Sequence, residues 1–110
     1  MGVALAEVRR LALALPEAAE GDDHGTPAFL VAGKIFCTLS PDPLRLTIKL
    51  TAEDQDNLVA GHPDAIAPVD GYWGRKGWTI VRPDQTNEAT ITMLLRLAWR
   101  IVAPKRLALP

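Results

Sequence analysis

The sequence predicts an α+β fold, a sandwich in which a mainly antiparallel sheet of about five strands carries N- and C-terminal helices on one face. Three observations lead there. Helical spacing of apolar residues is strongest at the two ends of the chain. The middle runs in strand-length apolar or alternating blocks, and glycine and proline turn signals bound those blocks. Helices set apart from a mainly antiparallel sheet define the α+β class.

The first helix is expected over Val3 to Leu15, where Ala4, Val8, Leu11 and Leu15 recur on one face. Pro16 disfavours helical geometry at the residue before it and ends the helix. Glu17 to Gly25 is acidic and turn-rich, and reads as a loop. Ala28–Val31 and Lys34–Leu39 flank Ala32-Gly33, a hairpin signal, because the glycine accepts the positive φ of a tight turn. Pro41-Asp42-Pro43 breaks the chain before Leu44–Leu50, whose strict alternation gives a strand with Arg45, Thr47 and Lys49 on its wet face. Thr51 is a good N-cap for a short helix to about Ala60, with Glu53 and Asp54 favoured by the helix dipole. Ala65 to Val69 reads as an edge strand because Pro68 cannot donate to a ladder. Asp70 to Gly77 is a glycine-punctuated turn, and Trp78 to Arg82 a strand closed by Pro83. Asn87 caps a final helix from Glu88 to about Val102, whose broad apolar stripe suits a helix lying across a sheet.

A chain of 110 residues fits one domain, expected to bury roughly 60–70% of its unfolded surface. The 48% hydrophobic and 23% charged composition argues against disorder. The longest apolar run, Val3 to Leu15, is too short and too charged to span a bilayer, and no signal peptide is read. A cytoplasmic monomer is the simplest expectation. The single cysteine forms no intramolecular disulfide, and no zinc spacing exists. Cys37 lies in an apolar strand, where cysteine behaves as a small buried hydrophobe rather than a nucleophile. No nucleophile elbow, phosphate loop or dinucleotide fingerprint occurs, so no catalytic residue and no cofactor are assigned. Glu17, Glu20, Asp22, Asp23 and His24 lack the fixed spacing of a calcium loop and read as solvated.

Charge is unevenly distributed. Residues 1–72 carry five basic and eleven acidic residues, whereas residues 73–110 carry seven basic and two acidic. Such asymmetry fits either an anion-facing surface or a basic helix paired with acids inside the fold. Tyr72-Trp73-Gly74-Arg75-Lys76-Gly77-Trp78 places two cations and three aromatics in one sharp turn. Cations neutralise phosphates and aromatic planes stack on bases. The alternative is that Trp73 and Trp78 plug the end of the sheet against Trp99, leaving Arg75 and Lys76 merely solvated.

Four segments together resemble the MmcQ/YjbR family of small bacterial proteins: His24-Gly25-Thr26-Pro27-Ala28-Phe29, Gly33-Lys34-Ile35-Phe36-Cys37-Thr38-Leu39, Trp73-Gly74-Arg75-Lys76-Gly77-Trp78, and Leu95-Arg96-Leu97-Ala98-Trp99-Arg100 with Ala103-Pro104-Lys105. The resemblance implies a CyaY-like α/β sandwich and a double-wing arrangement of hairpins, for which DNA binding has been proposed. It implies a candidate surface of Lys34, Trp73, Arg75, Lys76 and Trp78. The frataxin-like fold also hints at iron, but the acids here lie in a loop and no metal site is carried over.

The resulting expectation is a non-enzymatic DNA-binding domain with weak, phosphate-directed affinity. Arg75 and Lys76 would contact phosphates, and Trp73 or Tyr72 would stack or wedge. Arg82, Arg96, Arg100 and Lys105 would add longer-range field, all of them facing outward around one protruding bend. The rival expectation is a cleft for a small anionic ligand or a protein partner, built from Trp73, Trp78 and Lys34.

Overall fold

The computed structural model describes residues 2–110. Its elements run α1 (Leu5–Leu13), β1 (Ala18–Asp23), β2 (Thr26–Val31), β3 (Lys34–Pro41), β4 (Leu44–Lys49), α2 (Ala52–Gly61), β5 (Ile66–Pro68), the single turn α3 (Tyr72–Arg75), β6 (Trp78–Val81), a 3₁₀ turn (Pro83–Gln85) and α4 (Glu88–Val102). All strand pairs are antiparallel, in the order β1-β2-β3-β4-β6-β5. The architecture is the expected α+β, with six strands in place of about five.

The additional strand is β1, which the sequence reads as a loop. Most of its residues are exposed, so no apolar alternation marks it. It is held by its backbone ladder to β2, from Ala18↔Val31 to Asp23↔Thr26. His24 and Gly25 both have positive φ, as the tight turn between two right-twisted strands demands. The same conformation at Ala32 and Gly33 joins β2 to β3, where the hairpin was expected. β5 forms the far edge, as the placement of Pro68 requires.

The other differences lie at helix ends. α1 starts at Leu5 rather than Val3: Ala4 is extended (φ −78°, ψ 159°), and the Val3 N–H before it is bonded to the Pro83 carbonyl at 2.9 Å. Two caps form as the sequence indicates: Thr51 accepts from Asp54 N–H at 3.1 Å, and Asn87 from Thr90 N–H at 2.9 Å.

Strand register sorts the sheet into two faces. The rows Phe29–Cys37–Ile48–Thr79 and Leu39–Leu46–Val81–Ile66 share one face. Val8 and Ala12 of α1, and Ile91, Leu94, Leu95, Ala98 and Trp99 of α4, join them in the core. Each fully buried large apolar side chain contributes about 1.5–3 kcal/mol. Trp99 is buried in this core with its indole N–H donated to the Pro16 carbonyl at 2.9 Å, whereas Trp73 is 60% exposed and Trp78 pairs with Lys49 and is only partly buried. The opposite row, Thr38–Thr47–Ile80–Ala67, faces away from α1 and α4 and is only partly buried or exposed.

Candidate nucleic-acid interface

The β5–β6 connection is folded tightly enough to require glycine at two positions. A Cβ on Gly74 would sit 1.7 Å from the Val69 carbonyl oxygen. Gly77 has φ +102°, and a Cβ there would lie 2.0 Å from the Leu50 carbonyl oxygen. Around Gly74, Tyr72–Arg75 forms one helical turn where the sequence reads an irregular bend.

Buried hydrogen bonds lock this turn from the core side. Gln55 of α2 donates its side-chain amide to the carbonyls of Gly74 (3.0 Å) and Trp78 (3.2 Å) and to the Thr79 hydroxyl (3.0 Å). Thr79 donates onward to the Gly77 carbonyl at 3.0 Å. On the solvent side, Lys49 Nζ donates to the Lys76 carbonyl at 2.5 Å and lies 5.6 Å from the centre of the Trp78 ring. Neither Gln55 nor Lys49 stood out as a site residue in the sequence. Gln55 sits among the polar residues Glu53, Asp54, Asp56 and Asn57 of α2, and Lys49 at a wet strand position.

The turn therefore displays its aromatics on a fixed support. Tyr72 and Trp73 are 56% and 60% exposed and meet edge-on, with ring centres 5.3 Å apart and planes at 82°. Lys76 Nζ lies 5.4 Å from the centre of the Tyr72 ring. Arg75 and Lys76 are exposed, and among the described residues neither forms an ion pair. Their charges are free for a ligand.

Two clefts open beside the turn. The first, of about 540 Å³, runs under Trp73 and Trp78 and is bounded by Ile35, Thr38, Thr47 and Val69, with Asp23 and His24 of the β1–β2 turn at its side. The second, of about 650 Å³, contains Arg45, Arg82, Asp64 and Asp70. The register ends at Leu46↔Val81, and one residue beyond each, Arg45 of β4 and Arg82 just past the end of β6 both line this cleft. Like charges so placed repel, and neither guanidinium forms an ion pair among the described residues.

The expected basic cluster is thus divided. Arg75, Lys76, Trp73, Tyr72 and Trp78 come together at the turn, and Arg82 lies on the adjoining open face of the sheet. Arg96 and Arg100 do not join them. They flank a groove with Met93 and Leu97 on the helix layer, because the opposite flank of α4 covers the sheet's other face. Lys105 follows α4 and is exposed with that layer, and Lys34 is exposed at the start of β3, lining neither cleft. Part of the chain's charge is neutralised internally, through Arg9–Glu20, Arg10–Glu88 and Arg106–Glu17.

The acidic segment is similarly occupied. Glu17 and Glu20 hold those arginines, and Asp22 accepts from the Gly25 N–H at 2.8 Å. Cys37 is fully buried on the core face, and burial pushes its thiol far above the ordinary range. His24 borders the open cleft on the other side of the sheet, so the two never form a nucleophile–base pair.

The family model described as YjbR matches residues 13–101. The crystal structure of Deinococcus radiodurans protein DR2400, which carries the family-model domain DUF419, is similar with a TM-score of 0.78 at 26% identity, over 96% of this chain and 82% of that one. No curated protein matches the chain.

Proposed function

The chain belongs to the YjbR family, and from that premise we propose that it binds DNA weakly through the phosphates, at the turn between β5 and β6. One observation carries this reading: Arg75 and Lys76 are exposed and form no ion pair among the described residues, beside two exposed aromatic rings on a hydrogen-bonded turn. Cations without internal partners neutralise phosphates, and rings left in water gain by stacking or wedging against a nucleic acid. Arg82 and Arg45 add two exposed cations along the sheet, in a cleft they share with Asp64 and Asp70. The net charge of −1 provides no long-range attraction, so the affinity expected is that of non-specific binding, with a Kd of roughly 10⁻⁴–10⁻⁶ M.

The test is a fluorescence anisotropy titration with random-sequence duplex at about 50 and 200 mM salt. Two phosphate contacts give a log–log salt slope near −1.8, or roughly a tenfold loss of affinity over that range. Arg75→Ala with Lys76→Ala should lower affinity for every duplex and flatten that slope. An unchanged titration would remove the proposal.

A second reading, a cleft for a small anion, is favoured by Arg45 and Arg82, two exposed arginines that line one cleft. It requires that pyrophosphate shift the resonances around these two residues at a concentration that leaves the β5–β6 turn undisturbed.

A further inference from the structure

We propose that the cleft under Trp73 and Trp78 holds a planar heteroaromatic ring of nucleobase size, presented as an unpaired base. The proposal rests on the DNA-binding reading above and narrows it from phosphate contact to selection of unpaired strands.

The lining has the chemistry such a ring needs. Two indoles supply stacking surface, and Ile35 and Val69 supply apolar contact. Thr38 and Thr47 are direct register partners on β3 and β4 and both line the cleft, so two hydroxyl-bearing side chains stand side by side there. A hydroxyl both donates and accepts, which suits the edge of any base. Asp23 adds a carboxylate that accepts from a ring N–H or an exocyclic amine. A volume of about 540 Å³ lies within the range of small-molecule sites and leaves room for a sugar and water beside the ring.

The rim suits the rest of the nucleotide. Lys49 is held over Trp78 and against the Lys76 carbonyl, which brings a cation to the edge of the aromatic wall. Lys76 and Arg75 follow directly after Trp73 on the same turn. A phosphate attached to a base in the cleft therefore meets positive charge without any rearrangement. The wall is also built in advance: Tyr72 braces Trp73 edge-on, and Gln55 fixes the backbone behind both.

A base inside a duplex cannot use this cleft, since its faces are stacked and its pairing edge is occupied. The cleft thus separates paired from unpaired DNA, whereas Arg75 and Lys76 alone do not. Stacking of one base is worth roughly a tenfold gain in affinity.

The experiment compares three labelled ligands at low salt with the full chain: a thymidine octamer, an abasic oligonucleotide of the same length, and a fully paired duplex. Thymidine monophosphate, followed by amide chemical shifts, forms the free-nucleotide arm. The octamer is expected to bind about tenfold more tightly than the abasic strand. Thr47→Leu, which fills the cleft floor and leaves Arg75 and Lys76 in place, should abolish that difference while duplex binding stays unchanged. Thr38→Leu blocks the same space from β3 if the first variant unfolds. Shifts at Thr38 and Thr47 with the monophosphate, at an affinity equal to the octamer's, would support the ring site and identify a free nucleotide as its source. The proposal is overturned if octamer and abasic strand bind alike and the monophosphate shifts nothing in the cleft. Duplex binding that persists in that case leaves the phosphate reading standing. Absence of duplex and abasic binding in the parent chain, while the octamer still binds and the monophosphate still shifts Thr38 and Thr47, would instead remove the phosphate reading and keep the ring site.

Discussion

The side-chain amide of Gln55 lies 3.0 Å from the carbonyl oxygen of Gly74, nineteen residues further along the chain. Through this contact α2 holds the aromatic turn to the body of the fold. Gln55→Leu keeps the volume but removes the donor, leaving the Gly74 carbonyl and the Thr79 hydroxyl short of a partner in a buried setting. A loss of about 1–3 kcal/mol is expected. Urea unfolding of the variant would measure it, and hydrogen exchange should show the turn opening before the sheet does.

Two glycine substitutions should behave oppositely. Gly74→Ala pushes a Cβ into the Val69 carbonyl oxygen, which is backbone and cannot step aside cheaply. A stability loss of about 1–3 kcal/mol is expected from the forced backbone shift. Gly61, the last residue of α2, has nothing within 4 Å of where a Cβ would go, and its φ is not positive. Gly61→Ala should stabilise by about 0.4–1 kcal/mol by restricting the unfolded chain. Thermal and urea midpoints of the pair would decide.

Arg96→Ala with Arg100→Ala removes the same formal charge as Arg75→Ala with Lys76→Ala, but from the helix layer. Duplex affinity and its salt slope should remain within twofold of the parent for the helix pair. A matched loss in both double variants would mean that net charge, not position, governs binding.

Cys37 should resist Ellman's reagent at about pH 8 in the folded protein, because burial disfavours the thiolate and hides the sulfur. In concentrated urea it should react at the rate of a free thiol. Intermediate urea would then give a reaction rate that reports the opening of the core. Rapid labelling of the folded chain would contradict the buried placement.

Much of the fold was legible because its signals are local. The Thr51 and Asn87 caps, the Ala32-Gly33 turn, the alternation of Leu44–Leu50 and the α4 stripe each reside in a few consecutive residues. β1 was not legible. An edge strand with little buried surface is held by backbone hydrogen bonds to β2, and those depend on no side-chain pattern. Gln55 escaped notice for a related reason, since a polar residue among polar neighbours shows its burial only once Gly74 and Thr79 are brought against it.

The candidate site divides along the same line. The sequence by itself determined which residues form the turn, that its aromatics and cations are neighbours, and that Arg45, Thr47 and Lys49 share one side of their strand. Only the tertiary structure decided that Arg96 and Arg100 sit with the helices, that Arg45 and Arg82 line one cleft, and that Thr38 and Thr47 line another with the indoles of Trp73 and Trp78. Strand periodicity fixes the facing of residues within one segment, whereas proximity between segments is set by pairing register and by which face of the sheet the helices bury.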